Sequence, residues 1–228
     1  MPQKRSEAAQ EYLIVALDFN NLKEAQKLVR RLGNLVLWYK VGLELFFASR
    51  GDIISFLKKK KKKIFLDLKL NDIPATVERA CRVLAGYECD LLSVFGTEAT
   101  VRAACAGLMG SPTRVVNVSV LTSEEGGAGT GGVVLRRALE TRQAGGVGVV
   151  CSAKENPRLR QRLPPSFLII NPGIRLLGMP ADDQRRVATP GDALRTGANH
   201  IVVGRPITRS NCPEQVVQEI HNELSCAL

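Results

Sequence analysis

The chain has 228 residues, of which 45% are hydrophobic and 24% charged, and its formal net charge is +10. That length and apolar content suit one globular domain with a sizeable core and exclude a disordered chain. No apolar run approaches the ~20 residues a bilayer span needs, so no membrane partner is expected.

Residues 1–11 are polar and mixed in charge, without the apolar core of a secretory signal, and are expected to form a frayed tail. From residue 12 onward, apolar β-rich runs alternate with amphipathic stretches. A strand is predicted over 12–17 and a helix over 22–32, where Leu22, Ala25, Leu28, Val29 and Leu32 recur at helical spacing. Strand 35–41 and helix 44–57 follow, then strand 63–68 and a helix over 74–86 that Pro74 opens at its first turn. The pattern continues with strand 90–95, helix 99–109 and strand 114–120, and a glycine-rich stretch over 126–132 leads into helix 133–142. Strand 147–151, a short helix over 157–163, strand 167–170, a long loop over 172–188, helix 190–196, strand 200–203 and helix 213–224 complete the chain.

Strands with nearly continuous apolar sequence, each followed by a helix, imply a parallel sheet covered by helices. Eight such units in this length predict an α/β fold, a single (β/α)8 TIM-type barrel over residues 12–228. An open doubly wound sheet is disfavoured, because the first strand–helix turn, Asp18-Phe19-Asn20-Asn21-Leu22, lacks a glycine fingerprint.

The six cysteines are scattered and form no C-x-x-C pair. They are expected to be reduced thiols in a cytoplasmic protein. His200 and His221 are the only histidines and have no partner at ligand spacing, so no metal is expected. The lysine run 58–63 supplies much of the positive charge, at an expected helix C-terminus and the loop after it. Without aromatic interleaving it does not argue for a nucleic-acid partner.

The strand ends carry the chemistry. Asp67 and Lys69 follow the apolar run Ile64-Phe65-Leu66, and alternation along a strand projects them together. Asp18, Lys40, Thr122, Arg175 and Arg205 also lie at or just after predicted strands, and in a barrel such positions converge on one face. Gly204 and Arg205 stand between strand and helix, where free backbone N–H groups and a planar guanidinium suit an anion. The long loop over 172–188 is expected to act as a lid.

The segment Asp67-Leu68-Lys69-Leu70-Asn71-Asp72-Ile73-Pro74-Ala75-Thr76 resembles the active-site segment of orotidine 5'-monophosphate decarboxylases. The match holds both aspartates, the lysine, Ile73-Pro74 and Thr76, and departs at Leu70, Asn71 and Ala75. Further similarity lies in Leu17-Asp18, in 40–46, in Leu121-Thr122-Ser123, in 149–153 and in the phosphate-gripping stretch 171–208. Phe95 stands where many relatives carry histidine.

The resemblance implies decarboxylation of orotidine 5'-monophosphate to uridine 5'-monophosphate and carbon dioxide, the last step of de novo UMP biosynthesis. It implies that Lys69 protonates C6 of the pyrimidine while Asp67 sits near the departing carboxylate and keeps Lys69 charged and aimed. Lys40 and Asp72 complete an alternating chain of charges, with Asp72 supplied by the partner subunit of a homodimer. Asp18 is implied to bind the ribose, Thr122 to lie in the nucleotide pocket, and Arg175, Gln184, Gly204 and Arg205 to hold the phosphate. Asn71, Ile73 and Thr76 join the substrate-binding set, with Asn71 still able to donate and accept hydrogen bonds. The scheme uses no metal or organic cofactor. Two alternatives compete. One is a related barrel group that shares D-x-K-x-x-D but acts on keto-sugar phosphates with magnesium, for which Glu44 is a candidate extra ligand. The other is a non-catalytic basic binding protein.

Overall fold

The computed structural model describes residues 9–120, 130–177 and 187–228. Eight strands form a closed barrel in sequence order: β1 (Leu13–Ala16), β2 (Trp38–Gly42), β3 (Lys63–Leu70), β4 (Leu91–Val94), β5 (Arg114–Val118), β6 (Gly148–Val150), β7 (Leu168–Asn171) and β8 (His200–Val203). Neighbours are parallel throughout, and β1 closes on β8 through Leu13–Ile201 and Ile14–Val202. The predicted barrel architecture is therefore present, with helices between successive strands.

Alternation along the strands builds two apolar layers. Ile14, Ala16, Trp38, Phe65, Leu91, Val116, Val118, Val150, Ile170 and Val202 fill the barrel interior. The intervening residues, such as Leu13, Val15, Tyr39, Val41, Ile64 and Leu66, pack under the helices. Because both faces are covered, the strands read as continuous apolar runs.

Helix Leu22–Leu32 lies where its periodicity places it. The Asn21 side chain accepts the Glu24 N–H at 3.0 Å, and Gly33 takes over at the C-terminus with φ +49°. Residues 33–35 continue as a 3-10 turn, so β2 begins at Trp38 and not at the expected residue 35.

The expected single helix over 44–57 is two helices, Leu43–Ala48 and Asp52–Lys59. Between them the Ser49 hydroxyl donates to the Leu45 carbonyl at 2.7 Å, and Gly51 adopts φ +83°. A Cβ on Gly51 would lie 2.6 Å from the Tyr87 hydroxyl, so conformation and space both require glycine there.

The N-terminal ends of the strands are sealed by a segment expected to be loose. Residues 9–12 form a helical turn, and Ala9 is buried. Glu11 Oε2 accepts the Trp38 Nε1–H at 3.1 Å, and the Glu11 carbonyl accepts from His200 Nδ1 at 2.8 Å. A carbonyl only accepts, so Nδ1 carries the proton. The frayed tail predicted over 1–11 is thus corrected at residues 9–11, where Ala9 and Glu11 cap the barrel floor; residues 1–8 lie outside the described residues.

The lysine run is less solvated than its sequence suggests. Lys58 pairs with Glu88, Lys62 Nζ donates to the Gly33 and Val36 carbonyls at 2.6 and 2.8 Å, and Lys63 lies over the Trp38 ring. Lys59, Lys60 and Lys61 remain exposed.

Candidate active site

β3 does not end as a regular strand. Leu66 pairs with Leu92 and Leu70 with Val94, so Asp67, Leu68 and Lys69 face Ser93 alone. This is a bulge, and it runs two residues beyond the predicted end at 68. Lys69 sits in it with φ +49°, a conformation uncommon for a long side chain and disfavoured sterically. Simple alternation therefore does not bring Lys69 beside Asp67; the bulge re-aims it. Its ammonium lies 2.7 Å from Asp67 Oδ2.

The same oxygen is 3.5 Å from Lys40 Nζ, and Lys40 reaches Asp18 Oδ1 at 3.1 Å. Asp18, Lys40, Asp67 and Lys69 thus form a row of alternating charges across β1, β2 and β3. The two central members are the most secluded, with side-chain exposures of 13% for Lys40 and 9% for Asp67, against 35% for Lys69 and 55% for Asp18. Ser93 Oγ donates to Asp67 Oδ1 at 2.8 Å and accepts the Lys69 backbone N–H at 2.9 Å.

Burial by itself would raise the Asp67 pKa, but Lys40, Lys69 and the hydrogen bonds from Lys69 and Ser93 outweigh it and hold it below 3.8. Burial would likewise lower the Lys40 pKa, yet Asp67 and Asp18 outweigh it and raise it above 10.5. Asp67's contribution to stability is present above pH 3.8 and lost as pH falls through its lowered value. Lys40's is present below pH 10.5 and lost as pH rises through its raised value. Between these limits the buried pair stays ionised.

A cavity of about 200 Å³ opens over this row at the C-terminal ends of the strands. Phe65, Val118, Val150 and Val202 give it an apolar floor continuous with the barrel interior. Arg175, Gly204 and Arg205 line it as well. Arg175 is buried, with Nη1 donating to the Ile174 carbonyl at 2.9 Å and its N–H to the Ala188 carbonyl at 3.0 Å. Arg205 opens the four-residue helix Arg205–Thr208 behind Gly204. The cavity therefore offers guanidinium groups, an apolar surface, and a row of alternating charges.

Other expected residues lie apart from this row. Asn71, Asp72 and Ile73 are exposed after β3, and Asp72 Oδ1 accepts the Ile73 N–H at 2.6 Å. Among the described residues, Asp72 forms no ion pair within its own chain. Thr76 is partly buried on helix Pro74–Ala85, where its hydroxyl accepts from Arg79 at 3.3 Å. Thr122, Gln184 and most of the loop expected to act as a lid lie outside the described residues.

A model of the orotidine 5'-phosphate decarboxylase / HUMPS family matches residues 11–220. The chain belongs to this family. It is 42% identical over 221 residues to the orotidine 5'-phosphate decarboxylase of Caulobacter sp. (strain K31), covering 93% of this chain and 96% of that one. It is 42% identical over 223 residues to the enzyme of the same name from Methylorubrum extorquens (strain PA1), covering 94% and 96%. The crystal structure of orotidine 5'-phosphate decarboxylase from Lactobacillus acidophilus superposes with a TM-score of 0.81 at 32% identity, covering 94% of this chain and 99% of that one. The chain is accordingly a decarboxylase of the carboxy-lyase class. No helix among the described residues is long and apolar enough to cross a membrane.

Two features of this decarboxylase escaped sequence reasoning. Ser93 was signalled only as one polar residue in an apolar strand, on the same face as the inward-pointing Leu91. Phe95 is capped by the Arg137 guanidinium at 5.4 Å, and Arg137 also donates to the Ser119 carbonyl. An arginine from the next helix but one occupies the face of that ring, an arrangement that no spacing in sequence reveals.

Proposed function

We propose that this chain decarboxylates orotidine 5'-monophosphate to uridine 5'-monophosphate, the last step of de novo UMP biosynthesis, with Lys69 as the proton donor. The observation that carries the reading is the row Asp18–Lys40–Asp67–Lys69 beside a cavity that arginines also line. As the C6–carboxylate bond breaks, carbon dioxide leaves and its electron pair stays on C6. The Lys69 ammonium stabilises that charge and delivers a proton to C6, and solvent later reprotonates the amine. Asp67 stands against the substrate carboxylate and holds the Lys69 ammonium in place at 2.7 Å.

Asp18 binds the ribose, and Arg175, Gln184, Gly204 and Arg205 hold the phosphate. Thr122, Asn71, Ile73 and Thr76 complete the nucleotide pocket. Binding energy from the remote phosphate lowers the barrier at C6 to the extent that it is realised in the transition state. Asp72 acts from the partner subunit of a homodimer; its exposure, and its lack of an ion pair among the described residues, agree with that role. The six cysteines are not joined by disulfides, which suits a cytoplasmic enzyme.

The magnesium-dependent alternative is less well supported. Glu44 does line the space beside Asp18, Lys40 and Asp67, but the Lys40 ammonium lies between the two aspartates where a cation would be held. The test is loss of orotidylate absorbance with and without chelator. Turnover unchanged by chelator is expected. Turnover of keto-sugar phosphates with magnesium, and none of orotidylate, would overturn the reading.

A further inference from the structure

The bulge in β3 leaves the Lys69 N–H without a ladder partner, because β4 offers only Ser93 against Asp67, Leu68 and Lys69. The N–H is donated to Ser93 Oγ at 2.9 Å, and the proton of that hydroxyl goes to Asp67 Oδ1 at 2.8 Å. A hydroxyl has one proton and two lone pairs, so both bonds are made together. Ser93 is fully buried, and its backbone is fixed from the other side by in-register pairing with Val116 of β5.

We infer that Ser93 is a positioning residue for the charged row: it clamps the left-handed backbone of Lys69 and turns the Asp67 carboxylate so that Oδ2 faces both ammonium groups. The inference rests on the reading of Lys69 as proton donor. Without the hydroxyl, a backbone N–H at a strained residue loses its partner, and the Lys69 side chain loses one of the two contacts that aim it. A small misplacement at the reacting centre lowers the rate of the chemical step far more than it weakens a ligand gripped elsewhere. The proposed phosphate ligands Arg175, Gly204 and Arg205 lie beyond the ends of β7 and β8 and are untouched by the change.

Ser93→Ala removes one oxygen and adds nothing, so packing is retained. Steady-state kinetics of the parent, Ser93→Ala and Ser93→Thr are compared at neutral pH, together with Lys69→Ala. The expected result for Ser93→Ala is a fall in kcat of about tenfold or more with KM within about threefold. Ser93→Thr keeps a hydroxyl and recovers kcat to within about threefold of the parent. A kcat for Ser93→Ala within about threefold of the parent, or a rise in KM matching the fall in kcat, overturns the inference. Should the added methyl of Ser93→Thr unfold the chain, the split between kcat and KM in Ser93→Ala decides by the same limits. Lys69→Ala separates the two readings. If that variant is inactive while Ser93→Ala behaves as the parent, only the role of Ser93 fails; if Lys69→Ala stays active, the proton-donor reading fails and takes this one with it.

Discussion

Lys69 Nζ lies 2.7 Å from Asp67 Oδ2 although the Lys69 backbone is left-handed, with φ +49°. The two residues therefore meet through a bulge and not through the regular pleat of β3. The strain is held locally by Ser93 and by the regular pair Leu70–Val94 that follows.

Lys69→Ala is expected to lower kcat by about 10³-fold or more while leaving the fold intact, since both proton delivery and charge stabilisation at C6 are lost. Lys69 is partly exposed at the barrel mouth, so its truncation opens no core cavity. Single-turnover kinetics beside a circular dichroism melt check this. Turnover within tenfold of the parent would reject Lys69 as the donor.

Arg205→Ala is expected to reduce kcat/KM on orotidylate by about 10²-fold, or ~2.7 kcal/mol of transition-state binding. A substrate analogue without the phosphate should barely register the change. Equal losses toward both substrates would show that Arg205 is not a phosphate ligand.

Hybrid dimers test the sharing of sites. Lys69→Ala and Asp72→Ala variants are each expected to be almost inactive alone. After dissociation and mixing, a heterodimer carries both lesions in one site and neither in the other. Up to about half of the parent activity per heterodimer should return, as an isologous two-fold interface with independent sites requires. No recovery despite proven subunit exchange would place Asp72 outside the partner's site.

The two histidines predict acid sensitivity of the fold. Burial lowers the pKa of both His200 and His221 to about 4, below the ordinary value of 6.5. Each is held neutral in the native state, so the unfolded chain binds more protons between pH 6.5 and about 4. Stability should fall as pH drops through that window, on the order of a few kcal/mol in total. Urea midpoints at several pH values measure the slope. His221→Leu, which removes a buried ring whose Nε2 has no partner among the described residues, should flatten it. An unchanged slope would mean that His221 is already charged in the fold.

Much of this protein was determined by its sequence alone. The alternation of apolar runs with amphipathic stretches specifies eight parallel strands and the helices between them, because each run reports its own burial. Helix Leu22–Leu32 and strand His200–Val203 have the bounds expected from that local pattern. Asp18, Lys40, Asp67 and Lys69 were legible as strand-end charges, and barrel closure then obliges strand ends to share one face. What the tertiary structure decided depends on contacts between segments distant in sequence. Gly51, left-handed between two helices, has Tyr87 where a side chain would stand. Glu11 anchors the helical turn over 9–12 because Trp38 and His200 supply donors from other strands. The aim of Lys69 depends on Ser93, 24 residues further along the chain. Local periodicity encodes which face of a strand is buried; it carries no record of which hydroxyl on the neighbouring strand will meet a bulge.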